Sequence, residues 1–119
     1  MQDTTPTAMS SRLEKHKDLL KVLMKSNNRL AKSIIKEVDG GFILCLCEII
    51  KNVLHGNVQV KDALKRRLRK HKITLRKLAS RGTNVQDKRR MMQKGGIIPL
   101  LPLLTSTLGP ILMKKIINK

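Results

Sequence analysis

The chain contains no Trp and no Tyr, and its single Phe is Phe42. A core must therefore be assembled from Leu, Ile, Val and Met, each of which contributes about 1.5–3 kcal/mol when fully buried. The same shortage excludes a surface that holds single strands by stacking bases on aromatic rings, as RNA-recognition sheets do. Acidic residues are scarce as well, 8 against 26 Lys and Arg, and none form a cluster able to hold magnesium. There is no P-loop, no dinucleotide-binding glycine pattern and no HExxH. No nucleophile stands at a recognisable spacing from an orienting base. These absences predict a protein that is not an enzyme and needs no cofactor.

Cysteine is limited to Cys45 and Cys47. On a helix, residues two apart point to different sides, so the pair is poorly placed to bridge. With His16, His55 and His71 they do not supply the roughly four ligands of a structural zinc site at finger-like spacing. Buried, reduced thiols and no metal are expected, which fits synthesis in a reducing compartment. The first ten residues are polar and include Asp3 and Pro6, unlike a secretory signal peptide.

What the sequence has in excess is positive charge, a net +18 on 119 residues. A chain of this length makes one domain with a small core. The charge is concentrated: residues 60–94 hold fourteen Lys and Arg against Asp62 and Asp87, while residues 1–59 hold nine basic and six acidic side chains. Like charges at i,i+4 repel, so a one-signed run drawn out over about 50 Å of helix is destabilising unless a polyanion offsets it. Duplex DNA, with one negative charge per about 1.7 Å of axis, is such a polyanion. The expected contacts are Lys65, Arg66, Arg67, Arg69, Lys70, Lys72, Arg76, Lys77, Arg81, Lys88, Arg89, Arg90 and Lys94. Binding through phosphates, without sequence selection, is favoured. A helix-turn-helix reader stays open, because any bundle of short helices can contain one.

Hydrophobic periodicity predicts an all-α fold, a bundle of four to five short helices followed by a Pro-interrupted apolar segment. Residues 1–10 read as a disordered arm, 11–80 as the basic helical bundle, 81–96 as a basic turn and helix ending in a Gly-Gly junction, and 97–119 as an apolar tail with a basic end. Ser11 and Glu14 have capping-box spacing and predict a first helix over residues 11–25, with Leu13, Leu20, Leu23 and Met24 on one face. Ser26, Asn27 and Asn28 separate it from a second helix over 29–38, striped by Leu30, Ile34, Ile35 and Val38. Residues 42–54 are apolar nearly all round. They predict the central helix, about 20 Å long, with Phe42, Leu46, Ile50, Val53 and Leu54 as core and His55-Gly56 as its stop. The rival is a strand pair, since residues 42–47 are β-compatible. Val60, Leu64, Leu68, His71, Leu75 and Leu78 then form one helical stripe of about five turns, with a bend near residues 70–74 allowed. Residues 85–94 predict a last short basic helix after the turn at 81–84.

Residues 97–113 carry no charge, yet hold Pro99, Pro102, Gly109 and Pro110. Their length is at the bottom of the membrane-spanning range, and the breaks work against a continuous span. In water such a stretch must bury itself in its own bundle, a capsid or other protein partner, a second copy of the chain, or a membrane.

At the junction the chain reads Arg89-Arg90-Met91-Met92-Gln93-Lys94-Gly95-Gly96-Ile97-Ile98-Pro99-Leu100-Leu101-Pro102-Leu103-Leu104. This resembles the adenovirus core protein X (mu) family, and the small basic proteins of Maverick- or adintovirus-type elements, over about residues 88–112. The resemblance implies a DNA-condensing core protein, a minor virion component located in the host nucleus and the virion interior. It also implies cutting by a viral cysteine protease between Gly96 and Ile97. The family's protease prefers Met, Ile or Leu four residues before the cut, where this chain has Gln93, with Met92 one residue earlier. The family's basic segment is Arg-rich and largely unstructured, whereas a helical domain precedes the junction here. The alternatives are a membrane-active or membrane-anchored basic protein, or an internal capsid component that grips the shell through residues 97–113.

Overall fold

The computed structural model describes residues 4–56, 60–94 and 96–106, and side chains from residue 14 onward. Seven helices lie among these residues: α1 (Thr4–Met24), α2 (Asn28–Glu37), α3 (Gly40–Leu54), α4 (Asp62–Lys70), α5 (Lys72–Ala79), α6 (Val85–Lys94) and α7 (residues 100–106). The described residues contain no strand, so residues 42–47 are helical and the strand-pair alternative is set aside. The Cα radius of gyration, 13.4 Å, is close to the ~13.5 Å expected of one packed domain this long.

Short polar side chains set three of the helix starts. Asn27 Oδ1 accepts from Leu30 N at 2.8 Å, Asp39 Oδ1 from Phe42 N at 3.0 Å, and Asn84 Oδ1 from Asp87 N at 2.8 Å. Each satisfies a donor that the first turn leaves open. α3 ends where Gly56 takes a φ of 74°, a conformation costly to a residue with a Cβ. α1 departs from expectation. It begins at Thr4, so Ser11 lies inside it and not at its start, and the expected disordered arm is helical from residue 4 onward. Pro6 does not prevent this, because in a first turn its missing N–H has no partner to lose.

The basic stripe over residues 60–78 is continuous in burial but not in backbone. Leu64, Leu68, Leu75 and Leu78 are buried, while the helix breaks at His71. His71 N donates to Leu68 O at 3.0 Å and His71 O accepts from Leu75 N at 2.9 Å, so this residue ends α4 and starts α5. That break and the folding of α7 account for seven helices in place of four or five.

α3 is the centre. It buries Phe42, Ile43, Cys45, Leu46, Cys47, Ile49 and Ile50, and α1, α5 and α6 pack on it, with α2 laid against α1 and α6. The His16 ring meets Phe42 edge-on at 5.5 Å. Val53 and Leu54, expected in the core, are only partly buried at the end of α3. Leu30 is 45% exposed, and Ala31 takes its expected place inside.

The junction turns the chain back into the bundle. Gly96 has a φ of 74°, and beyond it Ile97, Ile98, Leu100, Leu101 and Leu104 are all buried in the same core as α3. Pro102 falls in the first turn of α7, where it is tolerated. Thr105 Oγ1 donates within reach of Leu101 O (2.9 Å) and Pro102 O (3.0 Å), satisfying a hydroxyl that is itself buried. Residues 97–106 are thus part of the domain and not a separable tail; the remainder of the expected tail lies outside the described residues.

Because Leu46 and Ile50 are each 2% exposed at the centre of this packing, Leu46→Asp or Ile50→Asp is expected to bury an unpaired charge. The cost, several kcal/mol, is comparable to a small domain's whole stability of about 5–15 kcal/mol. Circular dichroism should show loss of the cooperative melt.

Candidate nucleic-acid interface

The leucines that hold α4 and α5 to the core dictate where their charges go. With Leu64, Leu68, Leu75 and Leu78 turned inward, Lys65, Arg66, Arg67, Arg69, Lys70, Lys72, Arg76 and Lys77 are all exposed, as are Lys61 and Arg81. Asp62 is the one carboxylate on these two helices. The run does not form the 50 Å rod its length suggests. It folds into α4, α5 and α6 on a body whose longest dimension is 38 Å, so the charges cover a patch.

Within the patch, Lys65 and Arg69, Arg66 and Lys70, and Lys72 and Arg76 are like-charged i,i+4 pairs, each destabilising by about 0.2–0.5 kcal/mol. An anion lying across them would relieve this. On its α6 side the patch borders an open groove lined by Ile73, Lys77, Arg90, Met91 and Lys94. Arg90 Nη1 lies 3.5 Å from Asp87 Oδ1 in a solvent-exposed pair, an arrangement that contributes little to stability and leaves the guanidinium accessible.

Two expected contacts are removed from the patch. Lys88 is 7% exposed, on the inner face of α6 with Met92 and close enough to Cys47 to act on its charge. Burial pushes the Cys47 thiol up to about 11, with the Lys88 ammonium working in the opposite direction. The thiol is therefore protonated at neutral pH. Because its folded value lies above the ordinary 9.0, the associated stabilisation is complete below pH 9 and is lost as pH rises towards 11. Cys45 is also buried, and neither cysteine is in a disulfide.

Arg89 turns the other way, onto α2. Its Nη1 donates to Ile35 O at 2.7 Å and Lys36 O at 3.4 Å. These carbonyls belong to the last turn of α2, where the helix lacks donors of its own and carries partial negative charge. Arg89 thus ties α6 to α2 across 54 residues of sequence. Arg89→Ala is expected to cost about 1.5 kcal/mol and to lower the melting midpoint by several degrees. Arg90→Ala should leave the melt unchanged, a contrast that thermal denaturation checks.

A second group of cations went unread in the sequence. Lys21, Lys25, Arg29, Lys32 and Lys36 are all exposed along the end of α1 and the outer face of α2. No acidic residue interrupts them between Asp18 and Glu37.

At the junction Gly96 is exposed and Ile97 is fully buried. A protease would reach the bond between them only after residues from 97 onward leave the core. Among the described residues no helix is long and apolar enough to cross a membrane, and no group of His, Cys, Asp and Glu is placed to hold a metal ion. Comparison of the chain with protein families, characterised proteins and solved structures finds no match in any of the three.

Proposed function

We propose that this protein binds double-stranded DNA through its phosphates, without choosing a sequence and without catalysing a reaction, and compacts it as a core component of a virus or virus-like particle. The observation that carries the reading is the exposed face of α4 and α5, where eight cations stand against a single carboxylate because four leucines fix both helices to the core. Phosphate contacts of this kind position a protein on DNA but carry no sequence information, which base-edge contacts must supply. The particle setting rests on the resemblance of about residues 88–112 to the mu family. On this reading the protein works in the host nucleus and then in the virion interior. In that setting residues 97–106 serve the domain's own core.

Unrelated duplexes of equal length should bind with equal affinity and compete freely. A preference of tenfold or more for one sequence would overturn backbone binding and point to base readout by one of the short helices.

A further inference from the structure

The cations of α1 and α2 are not a continuation of the α4–α5 patch. α1 packs on α3, α2 on α1 and α6, and α5 on α3, α4 and α6, so α3 and α6 stand between the helices that carry the two sets of cations. Arg29, Lys32 and Lys36 fall at i, i+3 and i+7 on α2, away from its buried Ala31, Ile34 and Ile35. Lys21 lies in the last turn of α1 and Lys25 just beyond its end. Asp18, three residues before Lys21, and Glu37, beside Lys36, stand at the two ends of this set, and no acidic residue lies between Lys21 and Lys36.

A duplex has a persistence length of about 50 nm, more than ten times the 38 Å longest dimension of this domain. A short duplex lying on α4 and α5 therefore cannot wrap around the domain to reach α2. The second surface stays free and attractive to another polyanion, and over distances beyond about 8–10 Å the first duplex is screened from it.

We infer that Lys21, Lys25, Arg29, Lys32 and Lys36 form a second phosphate-binding surface, so that one molecule holds two duplexes and compacts DNA by cross-bridging. This rests on the proposed DNA binding and adds its mode. The test uses the full chain with two duplexes of about 30 bp, one carrying a fluorescence donor and the other an acceptor, while anisotropy of a single labelled duplex reports simple binding. The wild-type chain should bind and give energy transfer between duplexes. A variant with all five residues changed to Gln should bind a single duplex within about tenfold of wild type yet lose the transfer, and the five-Arg variant should retain it. Circular dichroism of both variants should match the wild type, since all five side chains are exposed. Transfer undiminished in the Gln variant overturns the second surface, as does wild-type binding with no transfer. Absence of any wild-type binding overturns DNA binding itself, a distinguishable result.

Discussion

A chain ending at Gly96 is expected not to fold. It would lose Ile97, Ile98, Leu100, Leu101 and Leu104, whose exposures run from 0% to 7%. At about 1.5–3 kcal/mol for each buried side chain, the loss is about 8–15 kcal/mol, as large as the total stability of a typical small domain. The truncated chain should show reduced helicity and no cooperative melt by circular dichroism. Leu101→Asp should act in the same direction within the full-length chain. Sequence reading alone suggests the opposite, an apolar appendage whose removal costs three basic residues of 26 and leaves DNA affinity intact. A truncated chain that melts cooperatively near the wild-type midpoint would return residues 97–106 to that status. The same packing gives proteolysis at the Gly96–Ile97 bond a consequence: a cut there would release part of the core, loosening the domain and not merely trimming it.

The central helix was legible because residues 42–54 are apolar around nearly their whole circumference, which only a fully surrounded helix satisfies. Its Gly56 stop, the Asn27 boundary and the limits of α6 were legible for similarly local reasons. The break at His71 was not. The leucine stripe keeps its helical phase from Leu64 to Leu78, and periodicity reports phase, not backbone continuity. The start of α1 was misplaced because Ser11 and Glu14 have the spacing of a cap, a pattern that also fits inside a helix. The fate of residues 97–106 is a tertiary matter, since an uncharged segment can be buried equally well by its own domain, a partner or a lipid phase.

The exposed cations were legible in α4 and α5 and misread in α6 for one reason: counting charges ignores the face they occupy. Val85, Lys88 and Met92 are spaced i, i+3, i+7, which places Lys88 on the apolar side of α6, where the structure buries it. Nothing local marks Arg89, whose partners lie in α2. The α1–α2 row escaped notice because residues 1–59 look nearly balanced, nine basic to six acidic, while Glu14, Asp18, Glu37 and Asp39 stand outside the stretch from Lys21 to Lys36.

The largest effect expected of the interface is its sensitivity to salt. Each phosphate neutralised by Lys or Arg releases condensed counterion, so affinity falls as salt rises, with a slope near 0.9 per contact on a double-logarithmic plot. Contact with about six to ten phosphates should reduce affinity by about 10³–10⁵ between 50 and 200 mM salt. Arg66, Arg67, Arg69 and Lys70 are exposed on α4, away from the buried Leu64 and Leu68, so changing all four to Gln should spare the fold. The most direct measurement is the Kd for one duplex across that salt range, for the wild type and for this fourfold variant. The expected result is a steep wild-type slope that becomes shallower by about 3–4 in the variant. A wild-type affinity indifferent to salt, or a variant slope equal to the wild type's, would contradict phosphate binding by the α4–α5 face.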